Sequence, residues 1–475
     1  MVLAETSDVA KWMQEFWQDA ILPTLCDYIR IPNQSPAFDP EWQRNGLLDQ
    51  AVDLVANWVR QRALTGVVVE VVRLPGRTPL LLIEAPGDAE GTVLLYGHVD
   101  KQPPFEGWEA GLDPFRPVIR GERLYGRGSA DDGYAAFAVA AALEYMAAHR
   151  LPRPRCVVMI EACEESGSGD LPAYLELLHD RIGVPDLVVA LDSGCGDYER
   201  LWVTVSLRGL VNGVLSVAVL EHGIHSGAAS GVVPSSFRIA RTLLSRVEDE
   251  RSGDILLREL WAPIPDERRA EAEQMAAVLG PKFLEGIPFL PGVQPVREDL
   301  AELLLNRTWR PQLEVTGAAG LPAPGSAGNV LRPVTQLKLS FRLPPGVDGE
   351  VAAQHLKAAL EDSPPYGAHV RFDFLEAATG WSAPPWNERL SRCVRQASER
   401  YFGLPPCFMG EGGTIPFMAI LGRMFPAAQF LVTGVLGPHS NAHGPNEFLH
   451  LPTAWRLSAV LVDVLQHIAG GSSFE

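Results

Sequence analysis

The feature that most constrains the fold of this chain is a set of apolar runs that end in charged residues. "TVLLYGHVD", "RCVVMIEACEE" and "DLVVALD" have the length and composition of buried strands, and the helical patterns "AAFAVAAALEYMAA" and "LPAYLELLHDRI" separate them. Apolar strands that alternate with helices predict an α/β sheet covered on both faces. Ligands bind such sheets at the carboxyl ends of the strands, so the charged residues there are functional candidates.

A second pattern begins near Leu207. "GLVNGVLSVAVLE" and "VTQLKLSFRLPP" alternate like half-buried strands. The segments "PSSFRIARTLLSRV" and "VAAQHLKAALED", each of which follows one of these strands, have helical periodicity. The α/β pattern returns with "ERLSRCVRQASERYF" and "QFLVTGVLG". We therefore predict a catalytic domain formed by residues 1–207 and 383–475, with an inserted α+β domain at 208–382.

Composition excludes several classes of partner. The formal net charge of −18 argues against nucleic acid, because phosphate binding needs a basic surface. The most apolar helical stretch is interrupted by Glu144 and is too short to span a bilayer. Six scattered cysteines without a CxxC pair favour reduced thiols, and no secretory signal pattern opens the sequence, so we expect a cytoplasmic protein.

Candidate metal ligands occur at the ends of the apolar runs. His98 and Asp100 are two positions apart at the end of a strand and therefore point to the same side, where the carboxylate would orient the imidazole. Asp131 precedes a helix in "GRGSADDGYAAF", where an aspartate can equally be a helix cap. Asp192 ends another strand, and its alternative role is that of a turn residue.

Two further segments complete the pattern. Glu164 and Glu165 are adjacent carboxylates that repel each other unless a positive charge lies nearby. His439 and His443 belong to the loop "GPHSNAHGPNEFL", where a histidine can also be simply solvated. We rank His439 below His443 as a ligand.

Taken together, these residues predict a site for two cations. One aspartate between two cations, with two more ligands for each, requires five protein ligands. The sequence supplies five: His98, Asp131, Glu165, Asp192 and His443. Such imidazole and carboxylate ligands suit zinc, with manganese or cobalt as alternatives. Two cations would stabilise the acidic cluster and activate a water, and the remaining Glu164 would act as general base.

The motifs "GHVDKQP", "GRGSADDGYAA", "EACEESGS", "LDSG" and "NAHGPNE" resemble those of the dinuclear zinc family of aminoacylases, glutamate carboxypeptidases, carnosinases and cytosolic nonspecific dipeptidases. The resemblance implies an α/β, zinc-exopeptidase-like catalytic domain with an inserted α+β lid and dimerisation domain, and hence a homodimer. It implies His98 and Asp192 on one zinc ion, Glu165 and His443 on the other, and Asp131 between them. It also implies a cis peptide bond after Asp131.

The same resemblance assigns roles to the inserted domain. "EHGIHSGAASGVVPSS" implies that His225 donates a hydrogen bond to the substrate carbonyl of the partner subunit, with His222 as a competitor. "SAGNVLRP" implies that Asn329 also acts in the partner's site, and "LSFRLPP" places Arg342 on the substrate carboxylate. "MGEGGTIPF" resembles a dipeptidase loop and implies Gly413 and Thr414 beside the same carboxylate.

These details favour the carnosinase and dipeptidase branch, and we expect a metal-dependent hydrolase that cleaves dipeptides. The alternative is an N-acyl-amino-acid deacylase or a carboxypeptidase-type amidohydrolase with the same metals. Asn329 stands where close dipeptidases often have threonine, and Trp381 stands where carnosinase-like members can carry a polar residue, so the substrate side chain stays open. A non-catalytic relative would have lost a ligand or the base, and this chain has lost neither.

Overall fold

The structure is a computed structural model that describes residues 6–470. Its strands, in chain order, are β1 Val68–Val72, β2 Leu80–Ala85, β3 Thr92–His98, β4 Val118–Arg120, β5 Arg123–Tyr125, β6 Arg155–Glu161, β7 Leu187–Ala190, β8 Trp202–Leu207, β9 Gly209–Ala218, β10 Ile224–His225, β11 Gln312–Ala319, β12 Val330–Leu331, β13 Val334–Leu343, β14 His369–Ala378, β15 Trp381–Ser382, β16 Cys407–Glu411, β17 Gln429–Val432 and β18 Phe448–His450.

The α-helices are α1 Thr6–Phe16, α2 Leu22–Ile29, α3 Trp42–Asn45, α4 Leu47–Gln61, α5 Ala135–Ala148, α6 Leu171–Leu177, α7 His179–Ile182, α8 Ser226–Ala229, α9 Ser236–Leu244, α10 Asp266–Leu279, α11 Lys282–Glu285, α12 Leu300–Trp309, α13 Gly349–Glu361, α14 Glu388–Tyr401, α15 Pro416–Met424 and α16 Leu451–Ala469. Where the sequence places polar caps, the helices begin at them: Asp299 and Asp348 each accept a backbone N–H from the first turn of the following helix.

A large mixed sheet forms the centre of the molecule. Within the described residues its strand order is β1-β2-β6-β3-β7-β17-β8-β15, and β16 also pairs with β8. Strands β6, β3 and β7 are neighbours and run parallel, so their carboxyl ends meet at one edge. Consecutive residues of β3, β6 and β7 are buried, which is what a sheet covered on both faces requires. The predicted α/β class and its strands are confirmed.

The close approach of α5 to β3 depends on a glycine. A Cβ atom on Gly97 would lie 2.7 Å from the Cβ of Ala135 and 2.7 Å from Oδ2 of Asp132. Glycine at this position therefore lets the start of α5, and the turn before it, pack directly against the end of β3.

A second, antiparallel sheet has the order β11-β13-β9-β14. Helices α9 and α13 pack on it, and its apolar core is separate from that of the large sheet, with members such as Leu215, Phe341 and Phe372. All four strands fall inside the 208–382 segment, and the alternating burial of β9 and β13 matches their sequence pattern. The α+β character of this segment is confirmed, while its boundaries stay a prediction.

Helices α10 to α12 were not predicted, and they pack away from the second sheet. α10 and α12 contact β16 of the large sheet through a third core that includes Trp202, Met275 and Trp309. Part of the inserted segment thus contacts the catalytic sheet directly. This packing brings α12 close to the loop that follows β16.

The six cysteines are all free thiols, as predicted, and five of them are buried. Among residues 6–470, no helix combines the length and the hydropathy that a membrane span requires.

Candidate metal centre

The carboxyl edge of the parallel strands gathers polar side chains from three segments. β3 ends at His98, β6 continues into a short helical turn at Glu164–Ser166, and Asp192 follows β7 by two residues. Because these strands are adjacent and parallel, residues that are distant in the chain meet at one place. This meeting is the one that the sequence predicted.

Asp131 lies at the middle of the site, between two histidines. Its Oδ1 is 3.2 Å from Nε2 of His98, and its Oδ2 is 2.9 Å from Nε2 of His443. The two oxygens of one carboxylate therefore face two separate imidazoles. This is the arrangement expected of a carboxylate that lies between two cations.

Each histidine also faces a second carboxylate. Nε2 of His443 is 3.1 Å from Oε2 of Glu165, and Nε2 of His98 is 3.8 Å from Oδ2 of Asp192. The pairs His98 with Asp192 and His443 with Glu165 are the ones that the family resemblance implied for two ions. The assignment of these residues as ligands stays a proposal.

Glu164 lies close to these groups. Ligand atoms of His98, Glu164 and Asp192 are within 4.8 Å of one another, and those of His98, Asp131 and Glu165 meet the same limit. By position alone, Glu164 is a possible ligand as well as a possible base.

Asp100 supports both sides of the site. Its Oδ1 and Oδ2 accept the backbone N–H groups of Glu164 and Glu165 at 3.1 and 3.0 Å. Its Oδ1 is also 3.5 Å from Nδ1 of His98, and its backbone oxygen is 3.2 Å from the same nitrogen. Asp100 thus contacts the imidazole of His98, and it also fixes the turn that carries both glutamates.

The peptide bond between Asp131 and Asp132 is cis, as the resemblance implied. Oδ2 of Asp132 accepts the backbone N–H of His98 at 3.2 Å. The turn before α5 is therefore attached directly to the end of β3.

A buried ion pair that the sequence did not reveal holds this turn from the other side. Glu447 accepts hydrogen bonds from Nη1 of Arg127 at 2.7 Å and from the backbone N–H groups of Gly128, Ala130 and Asp131 at 3.1–3.3 Å. Glu447 and Arg127 are both almost fully buried. Since Glu447 is only four residues after His443, it also ties the histidine loop to the turn that carries Asp131.

The electrostatics of the site are those of crowded carboxylates. Burial and the charge of Asp131 raise the pKa of Asp192 to about 7, although His98 opposes this. Removal from water, together with Asp192 and Glu165, raises the pKa of Glu164 well above its usual range. The pKa of Asp131 is instead lowered, because His443 and His98 outweigh the effect of its burial.

The histidines balance this negative charge. Burial opposes protonation of His443, but its contacts with Asp131 and Glu165 raise its pKa to about 11. The pKa of His98 is raised in the same way, by Asp100 and Asp131. The cluster therefore strongly favours positive charge, and its nitrogen and oxygen donors are those of zinc, manganese or cobalt sites. Two divalent cations fit this set of residues.

The predicted residues of the inserted domain form two groups. His225 and Asn329 are exposed and adjacent, because β10 pairs with β12 and the backbone N–H of Ser226 donates to the oxygen of Asn329 at 2.9 Å. The ring of His225 lies over Gly227, where a Cβ atom would be 2.9 Å from its Cε1. Among residues 6–470, neither His225 nor His222 has a side-chain hydrogen bond or ion pair in the structure.

The second group surrounds the glycine-rich loop. Nη1 of Arg342 donates to Oγ1 of Thr414 at 3.1 Å, and Thr414 donates to the oxygen of Arg208 at 2.7 Å. The oxygen of Gly413 accepts the backbone N–H of Arg208 at 3.0 Å. The structure thus brings Arg342, Gly413 and Thr414 together, and it adds Arg208, which sequence reasoning missed.

Glu411, at the end of β16, is another residue that was missed. Its Oε1 accepts hydrogen bonds from Ser193 Oγ at 2.7 Å, from Gly194 N at 3.0 Å and from Thr204 Oγ1 at 2.7 Å. These contacts place a carboxylate directly beside the loop that carries Asp192. The sequence signal for Glu411 is the "GEGG" motif, in which it stands beside the glycines of the dipeptidase-like loop.

A wide cleft opens beside this carboxylate. Its volume is about 1060 Å³, and its lining includes Gly194, Lys282, Arg307, Glu411 and His439. His439, the lower-ranked ligand candidate, is exposed there. Among the described residues it forms no ion pair with a carboxylate, whereas His443 contacts Asp131 and Glu165.

Comparison with known proteins identifies a peptidase family. The model of the peptidase family M20/M25/M40 matches residues 94–467, which is more than half of the chain. A cysteinylglycine-S-conjugate dipeptidase of Corynebacterium striatum is 25% identical over 401 residues, covering 82% of this chain and 85% of that protein.

Solved structures share the fold along nearly the whole chain. Human carnosine dipeptidase 1 aligns with a TM-score of 0.76 at 20% identity, over 99% of this chain and 100% of that one. An M20 family metallo-carboxypeptidase from Sulfolobus solfataricus aligns with a TM-score of 0.77 at 19% identity, over 95% and 100% of the two chains.

Metal analysis of purified protein tests the site. We expect two divalent ions per chain in the wild type and one in His443→Ala, because that substitution removes a donor from one side of Asp131. His439→Ala is the matched control, a histidine of the same loop, and should keep both ions. Elemental analysis after dialysis gives the stoichiometry. Loss of an ion in His439→Ala, with retention of both in His443→Ala, would contradict the assignment.

Proposed function

The chain belongs to the peptidase family M20/M25/M40, and on that premise we propose that it is a two-metal dipeptidase that hydrolyses the peptide bond of dipeptides. The observation that carries the proposal is the position of Asp131 between His98 and His443, with Glu164 beside them. The relatives named as dipeptidases support the substrate class. We place the protein in the cytoplasm, in keeping with its free thiols.

The proposed ligands are His98 and Asp192 for one ion, Glu165 and His443 for the other, and Asp131 for both. We expect zinc, with manganese or cobalt as alternatives. When bound, such ions polarise the peptide carbonyl and make water acidic near neutral pH. The residues around them must hold the substrate and move its protons.

Glu164 is the proposed general base. Its backbone is held by Asp100 at 3.1 Å, so the carboxylate has a defined position beside the ligand atoms. Glu164 takes a proton from the attacking water and then gives it to the nitrogen of the leaving amino acid. The same group thus serves both halves of the hydrolysis, and no other proton carrier is needed.

Two features support the binding of a dipeptide with free ends. Arg342 and Thr414, which share a hydrogen bond of 3.1 Å, are the proposed partners of the substrate carboxylate, with Gly413 in the same loop. Glu411 offers a carboxylate beside the loop of Asp192, which suits a free ammonium group. An N-acylated amino acid has no such ammonium, so Glu411 favours the dipeptide over the acyl compound.

The inserted domain is proposed to act as a lid and to form a homodimer. His225 and Asn329 lie side by side on an exposed two-stranded ribbon, which suits groups that serve the site of a partner subunit. In that role His225 donates a hydrogen bond to the carbonyl oxygen as negative charge develops there. We propose residues 208–382 as the extent of this domain.

Replacement of Glu164 separates the role of base from that of ligand. We expect Glu164→Gln to lower kcat by roughly 10²–10⁴-fold, because glutamine cannot carry the proton. The metal content should stay at two ions per chain, measured on the same sample. Loss of one ion would instead make Glu164 a ligand and would remove it from the proposed role.

A matched pair of substrates tests the substrate class. Metal-loaded protein should hydrolyse Ala-Leu and leave N-acetyl-leucine intact, because only the dipeptide has an ammonium group for Glu411. Release of leucine, measured by chromatography, is the readout for both compounds. Hydrolysis of N-acetyl-leucine alone would identify a deacylase and would overturn the dipeptidase proposal.

A further inference from the structure

Three arginines surround the loop at residues 411–414, and we call them the arginine cluster: Arg208, Arg307 and Arg342. Nε of Arg208 donates to the oxygen of Gly412 at 3.1 Å, and Nη1 of Arg342 donates to Thr414. A Cβ atom on Gly412 would lie 3.1 Å from Nη2 of Arg208 and 3.1 Å from Cγ of Arg307. The three side chains come from different elements and converge on one short loop.

Their positive charge is poorly compensated. Among residues 6–470, none of the three guanidinium groups forms an ion pair, whereas the buried Arg127 is paired with Glu447. Arg208 is only 9% exposed, and its Nη1 is buried without a hydrogen-bond partner. Burial, together with repulsion from Arg342 and Arg307, lowers the pKa of Arg208 to about 9.

The carboxylates nearest to the cluster do not neutralise it. Glu411 lies near Arg307 but forms no ion pair with it among the described residues, and it is the proposed partner of the substrate's ammonium group. Glu376 lies near Arg342 and accepts a hydrogen bond from Asn212 at 2.8 Å. Two carboxylates face three guanidinium groups, so the cluster retains a net positive charge.

Such a cluster is costly for folding unless a ligand uses it. A buried guanidinium without a partner destabilises the folded protein, whereas a carboxylate pairs with the planar fork of an arginine through two hydrogen bonds. The substrate's main-chain carboxylate, assigned above to Arg342, pairs with one of the three guanidinium groups. Arg208 and Arg307 remain available for a second anionic group.

Arg307 is accessible to a ligand. It lines the cleft of about 1060 Å³ that also contains Glu411, and its guanidinium lies 5.2 Å from the centre of the Phe283 ring. The aromatic contact supports the side chain from one side and leaves its N–H groups free to bind. Arg307 therefore connects the arginine cluster to the cleft.

We propose that the arginine cluster binds a side-chain carboxylate, so that the preferred substrates are dipeptides that contain aspartate or glutamate. This inference rests on the proposed dipeptidase function and names the substrate class of the same site. Arg307 is the specificity-determining residue, because it belongs to both the cluster and the cleft. The acidic residue can be the first or the second of the dipeptide, and the test below separates the two.

The test compares acidic dipeptides with their neutral amide counterparts. For the wild type, we expect kcat/KM to be at least about tenfold higher for the acidic dipeptide, either for Ala-Glu over Ala-Gln or for Glu-Ala over Gln-Ala. This factor corresponds to one charge-assisted hydrogen bond. Arg307→Gln should abolish this preference while Ala-Ala is still hydrolysed, and Arg307→Lys should restore part of it. Arg310→Gln is the matched control, because Arg310 pairs with Glu302 outside the cluster.

Equal kcat/KM values for the acidic and amide dipeptides in the wild type would overturn the inference. An equal decrease in kcat/KM for both kinds of dipeptide in Arg307→Gln would overturn it as well. If Ala-Ala is not hydrolysed at all, the dipeptidase proposal fails. Binding of glutamate and glutamine, measured by calorimetry, then tests separately whether the arginine cluster binds a carboxylate. Metal-loaded wild type should bind glutamate more tightly than glutamine, and Arg307→Gln should not distinguish them. No difference in the wild type would refute the cluster as a carboxylate site.

Discussion

Repulsion among carboxylates at the carboxyl edge of the large sheet is the constraint on which the site depends. Asp131, Glu164, Glu165 and Asp192 converge there, and burial raises the pKa of Asp192 to about 7. Such a group of acids is stable only beside positive charge. The histidines on either side of Asp131 supply part of it, and two divalent cations would supply the rest.

The surrounding structure keeps this repulsive group in place. Asp100 holds the turn with the two glutamates by accepting both of their backbone N–H groups. Glu447 and Arg127 form a buried pair that fixes the turn before Asp131. Asp100 follows the end of β3 by two residues and Glu447 directly precedes β18, so the segments that carry the ligand atoms are held by neighbouring strands.

Much of the fold and of the metal site could be predicted because the signals are local. Apolar runs that end in His98 or Asp192 identify both the strand and the edge to which it leads. The pairing of Glu447 with Arg127 could not be predicted, because the two residues are 320 positions apart and nothing in either segment indicates the other. Helix α10 could not be predicted for a different reason. Of its buried residues only Ala272 and Met275 are apolar, which is too sparse a stripe to indicate a helix, and its packing on β16 supplies the stabilisation.

Anomalous diffraction from crystals grown with zinc tests the central claim most directly. We predict two peaks per chain, one on each side of Asp131, the first next to His98 and Asp192 and the second next to His443 and Glu165. Glu164 should lie beside the ions without coordinating either. A single peak, or a peak coordinated by Glu164 in place of Asp131, would contradict the proposed ligands.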